Sequence, residues 1–169
     1  MKKSKIIALV MATVLVCTAF SGCMGAPPPV PALEVSADKA DPPMGNYENN
    51  LEGLTAYLTD CQLISGEGTA MSFDFIGAIA GKKYIYKYAG SSISCEFYEY
   101  DAGNLNDTAK SILGQITEKG KFKSLDKEVN AVLSDSGKFM MVYINAGTDE
   151  VQKKFSEKMN GNFKAFQGK

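Results

Sequence analysis

Residues 83–100 read KYIYKYAGSSISCEFYEY. Tyr84, Tyr86 and Tyr88 alternate with Lys83, Ile85 and Lys87, the period of two that belongs to a strand. Ile93 to Tyr100 alternates in the same way. Ala89-Gly90-Ser91-Ser92 joins the two runs, so the stretch predicts a β-hairpin. Downstream the pattern returns: Glu128 to Ser134, a turn at Asp135-Ser136-Gly137, then Lys138 to Asn145. Upstream, Phe73 to Ala80 (FDFIGAIA) is apolar but too short for periodicity to separate strand from helix; we read it as a strand.

Each hairpin feeds a helix. Asp107 is placed to cap one that carries Ala109, Ile112, Leu113 and Ile116 and stops at Gly120. Thr148 is placed to cap another, running to about Asn160 with Val151, Phe155 and Met159 facing inward. Asp149 and Glu150 sit at its positive end. Ahead of both hairpins, Asn49/Asn50 can cap a helix through about Cys61 with Leu51, Leu54 and Leu58 on one stripe. This order predicts an α+β domain: an antiparallel sheet built from two hairpins, each followed by a helix, plus an N-terminal helix, with the helices on one face of the sheet. Tyr100-Asp-Ala-Gly-Asn104 and Ile144-Asn-Ala-Gly-Thr148 occupy matching points. They mark either an internal ββα pseudo-repeat or the Gly/Asn turn that any hairpin-to-helix connection needs.

Every proline of the chain lies before this region, at Pro27, Pro28, Pro29, Pro31, Pro42 and Pro43. Fixed φ and missing N–H groups disfavour regular structure there, so residues 23–45 read as a semi-extended tether to a single domain over 46–169. Residues 1–22 begin with Lys2, Lys3 and Lys5 and continue as the apolar run Ile6 to Phe20. As a helix that run is about 22 Å long, short of the ~30 Å hydrocarbon core, and it reads as a signal peptide.

The 169 residues contain 18 lysines and no Arg, His or Trp. Without the leader's three lysines, 15 face 19 acidic residues, a net charge of about −4. That balance argues against nucleic acid, which needs clustered cations. Without His the usual general base and metal ligand are missing, and without Arg so is the bidentate anion fork. Catalysis by carboxylate, Lys, Ser or Tyr stays open, but no phosphate loop, nucleophile elbow or calcium loop occurs, and no cofactor or metal is implied.

Phe20-Ser21-Gly22-Cys23 resembles the lipobox of bacterial lipoproteins. The resemblance implies cleavage before Cys23, a diacylglycerol on its sulfur, acylation of the new amino terminus, and an extracytoplasmic domain held at a membrane. Phe20 stands where that family prefers Leu. Ala19-Phe20-Ser21 also fits ordinary signal cleavage, which would give a freely secreted protein.

Three groups in the domain invite a functional reading. Tyr84, Tyr86 and Tyr88 share one strand face, and Tyr98 and Tyr100 lie on the partner strand. Together they are either an exposed contact surface for protein or glycan, or strand formers whose rings pack. Cys61 and Cys95 either pair in a disulfide closing about 35 residues or stand as buried thiols. Glu96, Glu99, Asp101 and Asp74, with the lysines at 119, 121, 123 and 127, read as solvated surface.

Ile76-Gly77-Ala78, Gly81 and Tyr84, followed by Cys95-Glu-Phe-Tyr-Glu-Tyr-Asp101, resemble small lipoproteins of Gram-positive Firmicutes. That likeness implies a compact extracytoplasmic domain and carries no catalytic residues. The expected function is a lipid-anchored, non-catalytic binding domain whose partner is a protein, peptide or cell-wall polymer. A carboxylate-, Tyr- or Lys-based hydrolase, an enzyme inhibitor, or a structural accessory to an envelope or transport complex are the alternatives.

Overall fold

A computed structural model describes residues 29–36 and 39–169. Cys23 and the signal peptide and cleavage site expected from the sequence lie outside them. The fold is α+β. Helix α1 spans Leu51–Asp60, α2 Asp107–Lys119 and α3 Glu150–Ala165. The strands are β1 (Thr69–Ala70), β2 (Ala80–Tyr88), β3 (Ser91–Glu99), β4 (Lys121–Ser124), β5 (Lys127–Asn130), β6 (Val132–Leu133) and β7 (Phe139–Asn145). An antiparallel sheet runs in the order β1-β2-β3-β7-β6, and β4 pairs only with β5.

The first hairpin is longer than the alternation predicts, and its turn is only Ala89-Gly90. Both residues have positive φ, 44° and 83°, the geometry that matches the twist of a two-residue hairpin. The apolar run at Phe73–Ala80 is not a strand. Asp74–Ile76 forms a 3-10 turn, closed by Gly77 in the left-handed region at φ 73°. A Cβ on Gly77 would come within 2.5 Å of Asn106 Oδ1 and 2.7 Å of Ala109 N. The run therefore bends because it packs against the start of α2, a contact no local pattern encodes.

The cap predictions shift by one residue. Asn50 caps α1 as expected, its Oδ1 accepting from Gly53 N at 2.8 Å. At α2 the cap is Asn106, bonded to Ala109 N, and Asp107 becomes the first helical residue. At α3 it is Asp149, bonded to Gln152 N, rather than Thr148. In both places a carboxylate still lies in the first turn, where the helix dipole favours it. α3 runs past Asn160 to Ala165, and its inward stripe is Gln152, Phe155, Met159 and Phe163, while Val151 is exposed.

Helices cover both faces of the sheet, not one. Tyr86, Cys95, Phe97 and Met141 point to one side and pack with Leu54 and Leu58 of α1 and Phe155, Met159 and Phe163 of α3. Tyr98, Met140 and Val142 point to the other and pack with Ile112 and Ile116 of α2 and Phe122 of β4. The two ββα units thus send their helices to opposite faces.

The proline-rich segment is not a free spacer over its described length. Pro31 O accepts from Lys87 N at 2.8 Å, and Leu33 N donates to Lys87 O at 2.7 Å. Ala32 forms a parallel bridge with Lys87. Proline is tolerated because Pro31 uses only its carbonyl, as an edge position allows. Further on, Asp41 binds Lys158 at 2.8 Å.

Candidate functional site

The tyrosine face is not a contact surface. Tyr86 is fully buried and its hydroxyl donates to Leu63 O at 2.6 Å. Tyr84 is buried against Phe97, and half-buried Tyr88 stacks on Phe155 with centroids 4.2 Å apart. Tyr98 and Tyr100 belong to the opposite side and are also buried; Tyr98 bonds Glu96 at 3.1 Å. Burial pushes the hydroxyls of Tyr86, Tyr98 and Tyr100 well above their ordinary value. Of the two readings, the rings pack: α1 and α3 seal the face that carries Tyr84, Tyr86 and Tyr88.

Cys61 and Cys95 are both free and buried, so the disulfide is not formed. Cys61 ends α1 beside Asn162, whereas Cys95 lies mid-β3 with its sulfur 3.6 Å from the Tyr86 hydroxyl. Burial raises the Cys61 thiol to about 11 and the Cys95 thiol to about 12, the opposite of what a nucleophile needs. The carboxylates are tied down singly. Glu96 pairs with Lys83 at 2.8 Å, and buried Glu99 pairs with Lys138 at 3.1 Å. Asp101 accepts from Gly103 N, and Asp74 sits in the 3-10 turn. Lys121 pairs with Glu128 and Lys123 with Asp126, which makes the lysine cluster the surface of a small hairpin rather than an anion site. Among the described residues no three potential ligands converge on a metal position.

The feature that the sequence pattern does not announce is an open sheet edge. Glu128–Ser134 was expected to pair throughout with Lys138–Asn145. Only Val132 and Leu133 do so, opposite Met141 and Met140. At Asn130-Ala131 the strand turns away, Ala131 N bonds Gly120 O, and residues 127–130 pair with β4 instead. Ser134 N donates to Phe139 O and Ala146 N to Ser92 O. The alternation of an antiparallel ladder then points the backbone groups of Phe139, Met141, Tyr143 and Asn145 away from β3. Phe139 and Met141 meet Ser134 and β6. Tyr143 and Asn145, which Asn130 and Glu128 would face had the ladder continued, have no strand partner among the described residues.

Hollows flank this edge on both sides of the sheet. One of about 160 Å³ is lined by Asn130, Val132, Met141, Tyr143 and Asn160. The Asn160 Oδ1 is buried there with no hydrogen-bond partner among the described residues. The other, about 270 Å³, is lined by Glu128, Val129, Val142 and Ile144, the last 62% exposed. On the α3 side the edge is held firmly. Asn145 Nδ2 donates to Gln152 Oε1 at 2.9 Å and to Ser156 Oγ at 3.1 Å, and the Tyr143 hydroxyl lies 3.2 Å from Ser156 Oγ. A hollow of about 500 Å³ at the end of α2 brings together only Asp135 and Lys164 as charged groups.

This is the arrangement by which a sheet accepts one more strand: unpaired main-chain groups for affinity, and pockets on alternate faces for side chains. The sequence signal for it is Ala131-Val132-Leu133, three consecutive apolar residues that break the alternation of Glu128–Ala131. Comparison of the chain with protein-family models, characterised proteins and solved structures finds no match to any of them.

Proposed function

We propose that this chain is an extracytoplasmic lipoprotein, anchored through Cys23, whose domain is a non-catalytic binding module for an extended segment of a protein or peptide partner. The observation that carries the binding part is the open edge at Tyr143 and Asn145 with a side-chain hollow on either face. A residue opposite Tyr143 would turn its side chain toward Asn160, whose free carbonyl favours a donor such as a hydroxyl. Its neighbours would turn theirs toward Val129, Val142 and Ile144, which favour an apolar group. The lipobox at Phe20–Cys23 and the apolar run before it support the anchor.

The anchor is tested by intact mass and by fractionation: the mature chain carries acyl mass at Cys23 and stays with membranes, and Cys23→Ala releases it. The edge is tested by amide exchange on the mature protein. Tyr143 and Asn145 amides exchange fast, unlike those of Val142 and Ile144, which bond β3. The capped peptide acetyl-Lys-Val-Thr-Val-Thr-Val-Lys-amide slows them about tenfold or more. The same peptide N-methylated on alternate amides does not. Protected amides in the free protein, or no effect of the unmodified peptide, would overturn the edge as the binding site.

A further inference from the structure

The docked N-terminal segment changes how far the domain can stand from its anchor. A free tether over residues 23–45 would reach about 70 Å. The chain is instead fixed to the sheet from Pro31 onward by the two hydrogen bonds to Lys87. From Cys23 to Pro31, the first residue bonded to the sheet, the reach is at most about 29 Å, about the diameter of a small domain. The point where this leash meets the fold is also a distinctive surface. Val30 and Ile85, 44% and 50% exposed, line a hollow of about 520 Å³ with Pro29, Pro31, Thr69 and Lys83. Lys87 is exposed on the same sheet face, two residues along β2 from Ile85. The acidic groups near this patch are Glu67, at the hollow; Glu96, paired with Lys83; and exposed Glu34, next to Leu33 in the docked segment.

We infer that the folded head rests against the bilayer at the β2 edge of the sheet, with Val30 and Ile85 at the headgroup boundary and Lys87 among the lipid phosphates, leaving the outer edge of β7, two strands away across the sheet, free for a partner. This rests on acylation of Cys23. The contact need not be strong. Once the acyl chains are inserted, a short leash makes the local lipid concentration very high, so a pair of aliphatic side chains and one cation suffice to orient the head. The same patch would be too weak to recruit an unanchored chain.

The experiment uses the mature acylated protein in phosphatidylethanolamine–phosphatidylglycerol vesicles. A fluorophore is attached through Ile85→Cys or Val30→Cys, with Lys153→Cys and Glu157→Cys, both exposed on α3 across the sheet, as controls. Cys61 and Cys95 are buried and stay unlabelled. Spin-labelled lipid is expected to quench the labels at positions 30 and 85 severalfold more than those at 153 and 157. Leu33→Pro, which removes the N–H bonded to Lys87 O, is expected to abolish that contrast while the protein remains on the vesicles. Equal quenching at all four positions, stronger quenching at a control, or a contrast that survives Leu33→Pro would overturn the inference. Failure of the anchor itself is read separately, as a mature mass without acyl groups before any vesicle is added.

Discussion

The Leu51 backbone N–H donates to the Glu99 carboxylate at 2.7 Å, so the last residue of β3 satisfies the first turn of α1. Lys138, at the start of β7, reaches the same carboxylate and also donates to Asn49 O. One buried acid thus ties the N-terminal helix to two neighbouring strands. Replacing it strands a lysine and an amide at once. Glu99→Ala is expected to cost about 2–4 kcal/mol, and Glu99→Gln, which keeps an acceptor, about half as much. Urea unfolding checks this: the midpoint falls in that order with little change in slope.

Two glycines separate strain from crowding. Gly77 has φ 73° and no room for a Cβ beside Asn106 and Ala109, whereas Gly90 has φ 83° and nothing within 4 Å. Gly90→Ala is expected to lose about 1 kcal/mol, the conformational part alone. Gly77→Ala should lose about 2–4 kcal/mol, because it also dislodges the Asn106 cap of α2. Thermal melts of the two variants measure the difference directly.

Gln152 is fully buried, donates to Tyr88 O at 2.7 Å and accepts from Asn145 at 2.9 Å. Gln152→Ala takes the side-chain donor from Tyr88 O and one acceptor from Asn145 Nδ2, which keeps Ser156 Oγ, and opens a cavity, at an expected cost of about 2–3 kcal/mol. It should also loosen the start of α3 and speed amide exchange near Asn145, a local effect that Val151→Ala, at an exposed neighbour, does not produce.

The buried thiols make stability depend on alkaline pH. Both are raised from an ordinary value of 9.0, Cys61 to about 11 and Cys95 to about 12. Above pH 9.0 the unfolded chain releases these protons before the folded one does, so it binds fewer protons and stability falls as pH rises. The contribution is complete below pH 9.0 and lost progressively up to about pH 12. Unfolding midpoints measured at a series of pH values show this decline, and Cys95→Ala makes it shallower from pH 9.0, before the buried tyrosines, whose ordinary value is 10.0, add to it. A thiol reagent at neutral pH should leave both cysteines unmodified until the protein unfolds.

Much of the architecture is local and therefore readable. The alternation in Lys83–Tyr88 and Ile93–Tyr100 and the cap-and-stripe pattern from Asn50 to about Cys61 are properties of neighbouring residues, and the structure keeps both, with a longer hairpin. Cap positions slip by one at Asn106 and Asp149 because adjacent polar residues compete and only the final backbone geometry chooses between them. Gln152 was missed because a polar side chain on the buried stripe is indistinguishable from a surface one until Tyr88 and Asn145 are placed beside it. The tyrosines stayed undecided between surface and core for a related reason: alternation says that Tyr84, Tyr86 and Tyr88 share a face, but not whether α1 and α3 will lie on it.

From its sequence alone this protein has a hairpin-and-helix α+β plan, a first 22 residues that resemble a lipoprotein leader ahead of Cys23, and no histidine or arginine with which to build the commonest sites. Those follow from composition and short-range period. Which face each helix covers, whether Pro31–Leu33 hangs free or closes the β2 edge, and whether β5 pairs with β7 or with β4 were decided only in three dimensions. Each is a competition between partners distant in the chain, and its outcome depends on the packing of groups such as Phe122, Ala131 and Lys87 that no local pattern ranks.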